Sequence, residues 1–348
     1  MNREQIETLR ACVQHNCHIA DARYGTDYGL CTYLLKMREY FRWEQGLGFA
    51  ATLDKEVLGD WLSERETLWE DLEQANFVPL PIDGKACDPF DARAVNERLH
   101  PHGLVYSGGL GVSGRPHFFL GELVRREQRE QYALMVSGRE LARDLAAPPA
   151  MSREGMIFVR RESLRRMLWE KLDNWRWSRP DNALGRAFAC YDFEHQLDQS
   201  LDEMTESELE LVLLHEQGEC LAGERLGEAW NRMLMEMPHT PAELAARAVR
   251  DHLADCSVTL PRLAALGRPA SLHFFMGNLG AMRRQLFPAL QGAYEAWRHT
   301  GDTTPFAELA RRGQAHWESV ASEMLALHRA RGKEAAVAIH ALAEGRSL

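Results

Sequence analysis

The 348-residue chain has no Cys-x-x-Cys pair, no block of lysines and arginines, and no low-complexity tract. Nor has it an apolar run approaching the ~20 residues that cross a bilayer. Each absence removes a class. Its seven cysteines, Cys12, Cys17, Cys31, Cys87, Cys190, Cys220 and Cys256, are odd in number and irregularly spaced, so reduced thiols are expected rather than a disulfide framework. The first ten residues hold no apolar core or cleavage site, and no secretory leader is expected. Together these features point to the cytoplasm. A net charge of −10 opposes a phosphate backbone, and the pairs Arg125-Arg126 and Arg160-Arg161 are flanked by glutamate, so neither a nucleic-acid nor a membrane partner is expected.

What is present is ordinary globular material, 45% hydrophobic and 26% charged. Ile6, Leu9, Val13, Cys17, Ala20 and Tyr24 make one helical stripe, ended by Gly25. From Asp27 to Glu44 the chain is apolar on most of a helix's circumference, which predicts a helix central to a core. Residues 54–73 read as one or two further helices with a capping box at Ser63-x-x-Glu66. Residues 79–102, punctuated by Pro79, Pro81, Gly84 and Pro89, read as a linker after an N-terminal helical segment, 1–78.

Within 103–160 the period shifts to about two, and glycines separate short β-prone runs. This predicts a small antiparallel meander of four or five strands as an insert. Residues 161–348 return to helical spacing, with capping signals at Thr205-x-x-Glu208, Thr240-Pro241-x-Glu243 and Thr304-Pro305. The expected fold is mainly α: a multi-helix array with a small β-meander insert, α+β overall. The C-terminal helices are expected to pack with the N-terminal ones.

Several motifs invite chemistry. Gly109-x-Gly111-x-x-Gly114 matches a dinucleotide fingerprint, but strand-like His117-Phe-Phe follows where a helix should open. A glycine-rich hairpin is expected, with no nucleotide cofactor. Ser113 is excluded as a nucleophile elbow because Arg115 stands where glycine is needed. Cys12-x-x-x-x-Cys17-His18 is a loosened haem-attachment pattern, but Cys17 lies on an apolar stripe and reads as a buried thiol. His18 and Asp21, an i,i+3 pair, read either as two ligands or as a polar flank. Trp169, Trp175 and Trp177 read as pocket, interface or core.

The most specific pattern is His215-Glu216-Gln217-Gly218-Glu219. His215 and Glu219 are i,i+4, and all three ionisable residues fall within roughly a 100° sector of a helix. Glu216 shares the face of Leu209, Val212, Leu213 and Cys220, and an ionised carboxylate there is costly unless paired or coordinated. The pattern is similar to the first half of a zincin H-E-x-x-H, with Glu219 in place of the second histidine. No protease is inferred; one histidine with carboxylates suits iron or manganese. His195, His252 or His18 are expected to complete such a site. Asp251, His252 and Asp255 form a further set on a later helix.

The stretch from His15-Asn-Cys-His18 through Leu34-Leu-Lys-Met-Arg-Glu-Tyr-Phe-Arg-Trp-Glu44 resembles an uncharacterised bacterial family with no assigned function, and His215–Glu219 is similar to the same group. The resemblance implies a bacterial cytoplasmic origin and carries over no catalytic residue. Three functions remain open: a metal-binding helical protein or iron- or manganese-dependent enzyme, a non-catalytic accessory or assembly factor acting through protein contacts or as a homo-oligomer, and a small-molecule binder.

Overall fold

The structure, a computed structural model, describes residues 1–111, 114–153 and 155–348. Ser113 lies outside the described residues. The chain divides into two compact units, Met1–Met151 with Phe158–Trp169, and Ser152–Ile157 with Glu170–Leu348. No helix among the described residues is long and apolar enough to cross a membrane.

The first unit opens with helices α1 (Arg3–Tyr24), α2 (Leu30–Glu44) and α3 (Lys55–Leu72). Asn2 and Gln5 close a capping box at the start of α1, and Asp54 caps α3. Ser63 therefore starts nothing; it lies inside a single helix. The expectation for α2 is also corrected. Met37, Tyr40 and Phe41 are buried against Trp61 and Trp69, whereas Leu30, Leu34 and Leu35 stand exposed. Apolar composition all round a helix does not bury it where a partner covers one face only.

Residues 79–102, expected to be a linker, hold a two-stranded hairpin, β1 (Leu80–Ile82) and β2 (Lys85–Cys87), and helix α4 (Ala92–Leu99). Then come β3 (Leu104–Leu110), β4 (Pro116–Gln128), β5 (Ala133–Arg143), β6 (Ala150–Arg153) and β7 (Met156–Arg160). They form one sheet in the order β3-β4-β5-β7-β6.

α+β is right, but the sheet is larger than a small insert. β4 and β5 run on past their apolar halves, where Arg139 pairs with Glu122 and where Arg125 and Arg129 hold Glu127 within the turn-proximal end. Bulges at Leu120–Arg125 bend β4. The sheet is also integral to the first unit. Cys17 donates its thiol to the Phe118 carbonyl, Gln14 donates to the Arg143 carbonyl, and Asp21 accepts from the Leu145 amide, so α1 lies along the sheet. β3 and β4 pair antiparallel from Leu104↔Glu122 to Leu110↔Pro116, so a strand follows the glycine-rich stretch as expected.

Helix α5 (Arg161–Ser178) begins in the first unit and ends in the second. The second unit continues with α6 (Ala183–Phe188), α7 (Leu197–Glu236), α8 (Pro241–Ala254), a π-helical turn (Asp255–Thr259) and α9 (Leu260–Leu266). It closes with α10 (Pro269–Asn278), α11 (Ala281–Leu286), α12 (Pro288–Thr300), α13 (Thr304–Arg331) and α14 (Ala336–Gly345). Val249, Leu253, Leu263, Phe287, Phe306 and Trp317 belong to its core.

The Thr240-Pro241 signal starts α8 as expected, Thr240 accepting the Glu243 amide. Thr205 does not start a helix. Its hydroxyl donates to the Leu201 carbonyl one turn back, so it is satisfied inside α7. α7 is interrupted only at Gly227, where a φ of 68° takes the chain out of helical geometry.

Candidate metal centre

Helix α7 presents His215 and Glu219 one turn apart, and α8 presents Arg250 and Asp251 toward them. Gly218 lets the two helices meet. A Cβ at that position would stand 2.6 Å from the Ala254 carbonyl oxygen, 2.9 Å from its carbon and 3.1 Å from its Cα. Only a residue without a side chain permits that approach. The π-helical turn beginning at Asp255 follows directly, and the Asp255 carboxylate faces His215.

His215 is held from both ends. Its Nδ1 lies 2.9 Å from Asp255 Oδ1 and its Nε2 lies 3.5 Å from Glu219 Oε1. Arg250 Nη2 donates to Glu219 Oε1 at 2.8 Å and to Asp251 Oδ1 at 3.3 Å. Arg283, from α11, donates to Asp255 Oδ2. One donor atom each from His215, Glu219 and Asp251 lie within 4.8 Å of one another, and this is the metal-compatible group found among the described residues. Water reaches it: the side chains of His215, Glu219 and Asp251 are 29%, 17% and 21% exposed.

The charges are interlocked. Burial disfavours imidazolium at His215, but Asp255 and then Glu219 outweigh it, and the pKa rises well above the ordinary 6.5. Burial likewise opposes ionisation of Glu219, yet the His215 hydrogen bond and Arg250 bring it down to about 2. Asp255 is lowered against burial by Arg283 and His215. Asp251 is raised by burial and by Glu219. Glu216, buried on α7, is pushed up to about 7 by burial and by Glu219 beside it, and its Oε2 has no hydrogen-bond partner.

Of the residues singled out in the sequence, His215 and Glu219 converge. Glu216 is buried as expected but is not one of the three clustered donors. His252 does not join them. It is fully buried, stacks on Trp317 at 5.0 Å, and lies with Nε2 2.9 Å from the Arg283 carbonyl. Burial and then Arg283 lower it to about 3, so it is a neutral core histidine.

His195 is a surface residue, its side chain 78% exposed and paired with Asp192 at 2.9 Å. It precedes α7, which starts at Leu197. His18 sits with Arg65 Nη1 2.8 Å from its Nε2 and takes the Trp69 Nε1 hydrogen at Nδ1, 3.3 Å away. Burial and then Arg65 lower it to about 3, and a guanidinium there repels a metal cation. Glu44 holds Arg65 and Trp61. All seven cysteines are free. Trp169 stacks on Phe49, Trp175 donates to the Pro180 carbonyl, and Trp177 is exposed.

Sequence reasoning missed Arg250, Arg283 and the role of Gly218. Asp251 and Asp255 were visible as a set, but His252 between them drew the attention. The usable signal was a second i,i+4 acidic pair able to face His215 and Glu219.

Residues 8–160 match the N-terminal domain, and residues 165–346 the C-terminal domain, of a family of unknown function (DUF6866). No curated protein and no solved structure matches the chain.

Proposed function

The chain belongs to the DUF6866 family, a family of unknown function, and we propose from its own residues that it binds a divalent iron- or manganese-class metal through His215, Glu219 and Asp251. The observation that carries this is the convergence of one imidazole and two carboxylates within 4.8 Å, open in part to solvent. The Asp255–His215 hydrogen bond supports the reading, since a carboxylate on the far ring nitrogen orients a ligating histidine and raises its basicity. One histidine with two carboxylates suits iron or manganese better than a thiolate-seeking ion. Three protein ligands leave positions for water or substrate. As an enzyme it would use the metal to activate water or oxygen, with Glu216 moving a proton nearby.

A second reading has its own observation. Arg250 and Arg283 already neutralise Glu219, Asp251 and Asp255. On that reading the cluster is a metal-free ionic clasp between α7 and α8 in an accessory protein.

Metal analysis and Mn²⁺ and Fe²⁺ titration of the full chain separate the two. The metal reading expects about one ion per chain, lost in His215→Ala and in Glu219→Gln. Asp255→Asn should weaken binding roughly 10- to 100-fold. Substoichiometric metal that His215→Ala does not change would leave the ionic clasp.

A further inference from the structure

With a metal at His215, Glu219 and Asp251 as the premise, Arg250 acquires a second role. Its Nη2 now occupies both carboxylates that the metal would take, at 2.8 Å from Glu219 and 3.3 Å from Asp251. It takes one oxygen of each, Glu219 Oε1 and Asp251 Oδ1, and a divalent cation held by the same two carboxylates would repel the guanidinium at such range. The repulsion is relieved when the arginine swings away. The Arg250 side chain is 22% exposed, so a path to solvent exists. Its seat is also incomplete, because Nε is buried without a hydrogen-bond partner. Arg283 shares the unpartnered Nε but differs in what it holds, the Asp255 carboxylate that orients His215 and that the metal would not take.

We propose that Arg250 is an exchangeable counter-ion of this site. It closes Glu219 and Asp251 while the metal is away, and once displaced it turns its guanidinium fork to an oxyanion bound beside the metal. The ligand class is a carboxylate or phosphate group, which the planar fork of arginine grips with two parallel hydrogen bonds. The metal's open positions and the freed fork would then hold one anion between them. Each ligand therefore raises the affinity of the other, since the metal frees the donor that the anion needs.

Calorimetric titration of the full chain tests this. Mn²⁺ is titrated into wild type, Arg250→Gln and Arg250→Lys; acetate and inorganic phosphate are then titrated with and without Mn²⁺. Wild type is expected to bind one anion about tenfold tighter with Mn²⁺ present. Whether acetate or phosphate responds identifies the substrate group. Arg250→Gln should bind Mn²⁺ at least as tightly as wild type and lose the anion coupling. Arg250→Lys keeps the competing charge but not the fork, so its coupling should fall also, and it carries the test if the glutamine variant does not fold. The proposal is overturned if Mn²⁺ binds wild type while neither anion responds. It is overturned equally if the folded Arg250 variants bind Mn²⁺ more weakly or keep the full coupling. Absence of Mn²⁺ binding to wild type overturns the metal reading itself, and this role with it.

Discussion

Replacing Gly218 with alanine tests how α7 and α8 are held together. Helix propensity alone favours alanine by about 1 kcal/mol. The packing opposes it. The new Cβ would lie 2.6 Å from the Ala254 carbonyl oxygen, and all three nearest atoms are backbone, so no rotamer change relieves the contact. The two helices must part by roughly 0.5–1 Å to restore ordinary van der Waals spacing. Overpacking of this kind costs about 1–3 kcal/mol, leaving a net destabilisation of about 0–2 kcal/mol after the propensity gain.

Gly223 provides the control on the same helix. Nothing lies within 4 Å of a Cβ built there, so Gly223→Ala should stabilise by about 0.5–1 kcal/mol. At roughly 2–4 °C per kcal/mol for a unit of this size, thermal melts should move in opposite directions, by several degrees in total. Gly218→Ala should also lengthen the His215–Asp255 contact and weaken Mn²⁺ binding, while Gly223→Ala leaves it unchanged. Equal stabilisation by the two alanines would refute the close-approach argument.

The titrating groups make further predictions. The His215 pKa is raised above its ordinary 6.5, so its contribution to stability is complete below that value and declines as pH rises through the folded pKa. The stability difference between wild type and His215→Gln should shrink above pH 6.5; urea midpoints that keep a constant separation to pH 9 would contradict it. Asp255 and Glu219 raise the His215 pKa in the metal-free protein, so Mn²⁺ binding to the ring nitrogen should displace a proton, read from titrations in buffers of different ionisation enthalpy; a buffer-independent heat would count against His215 as a ligand.

Glu208, fully buried with Ser271 donating to its Oε1 at 3.0 Å, is pushed up to about 8 by burial. The native state then holds a proton the unfolded chain releases, so stability falls as pH rises from about 4.5 toward 8. Glu208→Gln, which mimics the protonated acid, should remove that fall and stabilise by about 4 kcal/mol at pH 8. Parallel stability–pH curves for the two proteins would place the loss elsewhere.

Local patterns were readable wherever the physics is local. Helical periodicity identified α1 from its stripe of Ile6, Leu9, Val13, Cys17, Ala20 and Tyr24. Cap chemistry identified the start of α8 at Thr240-Pro241, and the glycine-rich turn was separable from a nucleotide site because a strand follows it. The i,i+4 spacing by itself puts His215 and Glu219 on one face.

Thr205 was misread because a threonine hydroxyl is equally satisfied by a capping amide or by a carbonyl one turn back. The polar halves of β4 and β5 were invisible because their charges pair across and along the strands.

What only the tertiary structure decided is which side of α8 meets α7. Residues 251, 252 and 255 lie on neighbouring sides of one helix, and sequence cannot rank them. The Gly218 contact on Ala254 sets the register, and the π-helical turn begins at Asp255. Together they bring the two aspartates to His215 and leave His252 in the core, because relative helix position depends on long-range packing that no local pattern encodes.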